Sequence, residues 1–81
     1  MKDADYFFDL IVKSIPKPTS GYSECGSRVM PALTMFKALD TYEERRAFQD
    51  ALERMLESPK LGIRRYAVDV CLGFFVFKDA I

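Results

Sequence analysis

The stretch from Pro59 to Phe77, PKLGIRRYAVDVCLGFFVF, constrains this chain more than any other. Ile63, Tyr66, Ala67, Val70, Cys71, Phe74 and Phe75 follow the i, i+3, i+4, i+7 spacing of one helical face. The opposite face opens polar, with Arg64, Arg65 and Asp69, and then turns apolar at Val68, Leu72, Val76 and Phe77. A helix that becomes apolar all round is central to its fold or waits for a partner. The run Phe74 to Phe77 also has high strand propensity, so a short strand after Gly73 competes locally. The unbroken spacing from Ile63 to Phe75 predicts helix, with Phe74 and Phe75 in the core or in a homodimer seam.

Three further helices precede it. Asp3 or Asp5 can cap a first helix to about Ile15, with Ala4, Phe7, Phe8, Ile11 and Ile15 as its stripe, widened by Tyr6, Leu10 and Val12. Asp3, Asp5 and Asp9 sit toward the positive end of its dipole, which explains them locally and competes with an acidic binding patch. Pro16 and Pro18 stop the helix, and Pro16 to Gly26 carries only turn chemistry. Its glycines and hydroxyls do not make a phosphate cradle, because no Gly-Lys-Ser/Thr follows and no strand precedes it. Ser27 is expected to cap a second helix to about Leu39, with Pro31 in the first turn and Ala32, Met35, Phe36 and Leu39 inward.

Thr41-Tyr42-Glu43-Glu44 fits a capping box for a third helix running to about Ser58. Phe48, Ala51, Leu52, Met55 and Leu56 make its inner face, and Arg46–Asp50 and Asp50–Arg54 can pair at i, i+4. Ser58-Pro59 turns the chain into the fourth helix. The fold class expected is all-α: a compact bundle of about four helices in a single domain, residues 1–81.

Twelve Lys and Arg balance twelve Asp and Glu, which argues against a general nucleic-acid binder. Near-neutrality also gives little protection against self-association, so a homodimer is open. The N-terminus is acidic and Asp9 interrupts the apolar run from Tyr6 to Val12, so neither a signal peptide nor a membrane span is expected. Those features point to the cytoplasm, with Cys25 and Cys71 reduced; a Cys25–Cys71 bridge is the alternative.

Helices three and four together resemble one HEAT-type repeat, in which an amphipathic helix is followed by a Pro-containing turn, an aliphatic residue, an Arg and then an Ala. Pro59, Ile63, Arg64, Ala67, Val70 or Cys71, Leu72 and Gly73 occupy those positions, and the match spans Thr41 to Phe77. The resemblance implies a HEAT-like C-terminal helix pair, recognition of another macromolecule, and an Arg64 that bonds within the repeat. Such families stack about three or more repeats. With one clear repeat, this chain is expected to close as a compact bundle or to dimerise.

The chain has no His, which removes the usual general base of Ser-His-Asp and Cys-His systems and every imidazole metal site. Cys25, between Glu24 and Gly26, has no neighbouring cation to lower its pKa. No enzyme activity, cofactor or metal is expected. The functional expectation is a small protein-binding protein, first a bacterial immunity protein that blocks a cognate toxin, to which the chain is similar in size and character only. The alternatives are an adaptor or subunit of a larger assembly, and a nucleic-acid-binding domain using Arg45/Arg46 and Arg64/Arg65. Interface energy concentrates in buried Tyr, Phe and Arg. The expected partner-binding residues are therefore Tyr22, Tyr42, Arg64 and Arg65, with Asp69 on the shoulder of helix four; Arg65 and Asp69 can instead pair with each other.

Overall fold

A computed structural model of the chain describes residues 2–15 and 25–76. Four helices make it up: α1 (Ala4–Lys13), α2 (Cys25–Lys37), α3 (Tyr42–Leu56) and α4 (Leu61–Val76). The helical reading of the last third is correct through Val76, and residues 74–76 are helix rather than strand. Helix α1 packs on α3, α3 on α4, and α4 on α2. The result is a slab of 37 × 32 × 17 Å, whose short dimension suits two layers of helices packed about 8–10 Å apart.

Both N-terminal caps follow from local chemistry. The carboxylate of Asp3 accepts from the backbone N–H of Tyr6 at 2.9 Å, and α1 begins directly after it. At α3 the hydroxyl of Thr41 accepts from the N–H of Glu44 at 3.2 Å and donates to the Glu44 carboxylate at 3.0 Å. The two bonds from backbone N–H groups each satisfy a donor that the first helical turn leaves without a partner. Helix α1 stops at Lys13 rather than Ile15, and the Ser14 hydroxyl closes it by donating to the carbonyl of Leu10. In the turn before α4 the buried Ser58 hydroxyl accepts from the N–H of Lys60 at 3.1 Å.

Helix α2 departs from its expected start. It begins at Cys25, two residues before the expected cap at Ser27, so Pro31 falls well inside the helix rather than in its first turn. An interior proline leaves the carbonyl four residues earlier without a donor. Val29 and Leu33, absent from the expected stripe, are fully buried beside Ala32. Most of the segment Pro16 to Gly26 lies outside the described residues.

The core collects Phe7 and Ile11 from α1, Val29, Ala32 and Leu33 from α2, Phe48, Ala51, Leu52 and Met55 from α3, and Tyr66, Ala67 and Val70 from α4. Phe48 is its hub, edge-on to Phe7 at 5.7 Å, Phe36 at 5.2 Å and Phe74 at 6.3 Å between ring centroids. Edge-to-face rings at such distances are favoured by the aromatic quadrupole. Gly73 brings α4 close to α2: a Cβ at that position would lie 2.9 Å from Val29 Cγ2 and 3.3 Å from Leu33 Cδ1. Leu56, expected inside, is exposed at the edge of the α3 stripe.

Candidate functional site

Helix α4 has two faces of similar hydrophobicity and only one of them is covered. Tyr66, Ala67, Val70 and Gly73 are buried, with Ile63 and Phe74 partly so, against α2 and α3. Across the helix, Leu61 is 67% exposed, Val68 45%, Leu72 56% and Val76 66%. Phe75, expected in the core or in a seam between copies, is 74% exposed and does not belong to the core. Its position follows from helix phase: Phe74 turns inward onto Phe36, 5.0 Å away, which carries the next residue outward. This outer stripe is covered by no other described element.

Near the start of α4, Arg64 stands exposed beside this stripe and Arg65 stands exposed within it. Asp69 does not. Its carboxylate is mostly buried and lies 4.0 Å from the guanidinium of Arg28 on α2, so the expected Arg65–Asp69 pair is not formed. Arg28 also lies over the Tyr66 ring, 5.7 Å from its centroid, and the Tyr66 hydroxyl donates to the Arg28 carbonyl at 3.0 Å. Asp69 therefore helps to clasp α2 to α4 in a partly desolvated seam, where an ion pair is less screened than one at the surface. Burial pushes the Tyr66 phenol above its ordinary pKa; nearby Arg28 opposes that rise and Asp69 adds to it.

Tyr42 is 71% exposed at the N-terminus of α3, and its hydroxyl accepts from Arg46 at 3.4 Å. It lines an open recess of about 670 Å³ with Lys2, Asp3, Thr41 and Glu43, between the starts of α1 and α3. Helices α3 and α4 run antiparallel through a short turn, so Tyr42 sits roughly 20 Å, one helix length, from Arg64 and Arg65. The expected residues thus do not form one site: Arg64 and Arg65 are neighbours near the start of α4, Tyr42 is at the far end, and Asp69 is mostly buried against Arg28. Tyr22 lies outside the described residues.

Beside the α4 stripe runs an open groove of about 470 Å³, lined by Phe36, Leu52, Leu56, Cys71 and Phe74 with Gln49 and Glu53 at its rim. Cys71 is a free thiol, so the Cys25–Cys71 bridge is not formed, and partial burial raises its pKa. Leu61, Val68, Leu72 and Val76 were missing from the expected binding set. The apolar outer face of this helix is itself the signal for them in the sequence.

The other expected ion pairs divide. Arg46 and Asp50 lie 3.7 Å apart, whereas Arg54 pairs with Asp5 of α1 instead of Asp50. The bond to Arg54 also gives Asp5 a tertiary partner beyond the helix dipole. Among the described residues no group of three or more Cys, Asp or Glu side chains could hold a metal ion, and no helix is long and apolar enough to cross a membrane. Neither a family model, nor a curated protein, nor a solved structure matches the chain.

Proposed function

We propose that this chain is a non-catalytic protein-binding protein that works by stoichiometric docking through the outer face of α4. The observation that carries the reading is the exposure of Leu61, Val68 and Leu72 on a helix whose other face already closes the core. At roughly 25 cal/mol per Å² of apolar surface, covering such a stripe is a substantial driving force for association. The polar side chains with tertiary partners are engaged in holding helices together: Arg28 and Asp69, Arg54 and Asp5, and Arg45, whose Nε donates to the Leu39 carbonyl at 3.1 Å.

The HEAT-type reading belongs to the same proposal. It is supported by the stacking of α1 on α3 and of α2 on α4, as two successive helix pairs would stack. Of the two partner classes expected from the sequence, a toxin blocked by an immunity protein and a larger assembly joined by a subunit, the stripe favours the second. Permanent interfaces are the more apolar ones, and charge complementarity is what speeds transient encounters. Cytoplasmic residence is part of the proposal as well, since it keeps the exposed Cys71 thiol reduced.

The test is titration calorimetry of the wild-type chain and of Leu72→Glu against proteins it retains from its host, a differently tagged copy of itself included. Saturation at a fixed molar ratio, lost in Leu72→Glu while the helical circular dichroism is kept, is the expected result. Substrate turnover, or binding indifferent to Leu72→Glu, overturns the reading.

A further inference from the structure

Helix α2 carries the only proline inside a helix among the described residues. Pro31 removes one hydrogen bond from the ladder, and its ring crowds the carbonyl four residues back. Gly26, also within the helix, loses more conformational freedom on ordering than any other residue type would. No acidic residue in the first turn offsets these costs through the dipole. A helix of this length is marginal in water even without such handicaps. Packing therefore holds α2 in its helical form.

That packing is mainly with one neighbour. Val29 and Leu33 close on Gly73 of α4, Phe36 meets Phe74, and Arg28 joins Tyr66 and Asp69 at the polar end. The helices follow one another through space as α1, α3, α4 and α2, so α2 lies at one end of the order. Its release leaves α1 on α3 and α3 on α4. At the other end α1 has no interior proline, a cap from Asp3, and ion pairs to α3 through Lys2–Glu44 and Asp5–Arg54.

We propose that α2 is a displaceable cover of α4: it is helical only while docked there, and it opens as a unit while α1, α3 and α4 stay folded. The hinge is at Ala38. Beyond it the Leu39 carbonyl is held by Arg45 Nε at 3.1 Å and Thr41 caps α3, so both stay with α3. Opening uncovers Gly73 and frees the Tyr66 hydroxyl from the Arg28 carbonyl. Gly73 and Val76 are neighbours at i, i+3, so the surface bared there runs into the stripe that is exposed already. Order–disorder of one segment on a folded remainder is an established kind of conformational switch. The proposal does not depend on the docking reading, which concerns the face of α4 that is exposed while α2 is closed.

Native-state hydrogen exchange of the full chain, read amide by amide in low urea, tests this. Amides of Leu33 to Lys37 should be at least about tenfold less protected than those of Ala51 to Met55 in α3. Their protection should also depend less on urea, because opening one helix exposes less surface than global unfolding. Phe7 meets Phe48 across the α1–α3 contact, which the open state keeps. Phe7→Leu should therefore lower the protection of Ala51 to Met55 about tenfold and leave that of α2 unchanged. Pro31→Ala restores the ladder and should raise the protection of α2 by about tenfold or more. Equal protection and equal urea dependence in the two helices overturns the cover. So does a loss in α2 that matches the loss in α3 on Phe7→Leu, or a Pro31→Ala chain whose α2 is no better protected.

Discussion

The hydroxyl of Tyr66 donates to the backbone carbonyl of Arg28 at 3.0 Å, joining α4 to α2 across 38 residues of chain. Arg28 answers with its side chain, over the Tyr66 ring and toward Asp69. A fully buried phenol needs such a partner, since an unpaired buried hydroxyl costs about 1–3 kcal/mol. One tyrosine thereby supplies ring packing, a hydrogen bond and a cation site to the seam between two helices.

Tyr66→Phe should lower stability by about 0.5–1.5 kcal/mol at neutral pH, the usual net worth of a hydrogen bond. Its pH dependence is more specific. The folded pKa lies above the ordinary 10.0, so from about pH 10 upward the unfolded chain loses the phenolic proton first. The folded state then binds more protons, and stability falls as pH rises through that window. Urea titrations between pH 8 and 11 should show wild type losing more stability than Tyr66→Phe.

The two glycines of α4 should respond oppositely to alanine. In Gly73→Ala the new methyl meets Val29 Cγ2 at 2.9 Å, and overpacking of this kind costs about 1–3 kcal/mol. Helix propensity returns up to about 1 kcal/mol, so the net effect is destabilising. A Cβ at Gly62 meets nothing within 4 Å, so Gly62→Ala should stabilise by as much as 1 kcal/mol. Thermal melts of both, with Val29→Ala added to Gly73→Ala as the rescue, decide this.

Adjacent phenylalanines should differ as much. Phe74 packs on Phe36 and Phe48, and Phe74→Ala should cost about 3 kcal/mol. Phe75→Ala, at an exposed position, should cost less than about 1 kcal/mol when measured at a dilution where only single copies exist. Equal melting temperatures for the two variants would contradict the phase of α4.

The ion pair between Asp5 and Arg54 joins α1 to α3, yet both side chains are largely in water. A double-mutant cycle with Asp5→Ala and Arg54→Ala should give a coupling of at most about 1 kcal/mol, shrinking as salt is added. A larger coupling that persists in high salt would make this pair a principal clasp of the layer.

Four helices, their order and the caps of α1 and α3 were legible in the chain, because these depend on neighbours three or four residues apart. The cap expected at Ser27 was not, since α2 begins at Cys25. Asp3 before α1 and Thr41 with Glu44 before α3 are local hydrogen-bond chemistry, and Phe48, Ala51, Leu52 and Met55 repeat at helical spacing. Tertiary packing decided what periodicity left balanced. With apolar residues on both sides, α4 contains no internal preference for the face it buries; contact with Val29 and Leu33 at Gly73 and with Phe36 and Phe48 at Phe74 made the choice. The same packing set Asp69 against Arg28 rather than Arg65. Phe75 and the rest of the candidate face were thereby left outside. Helical spacing determines which residues share a face, and only the neighbours brought there by the fold determine which face meets water.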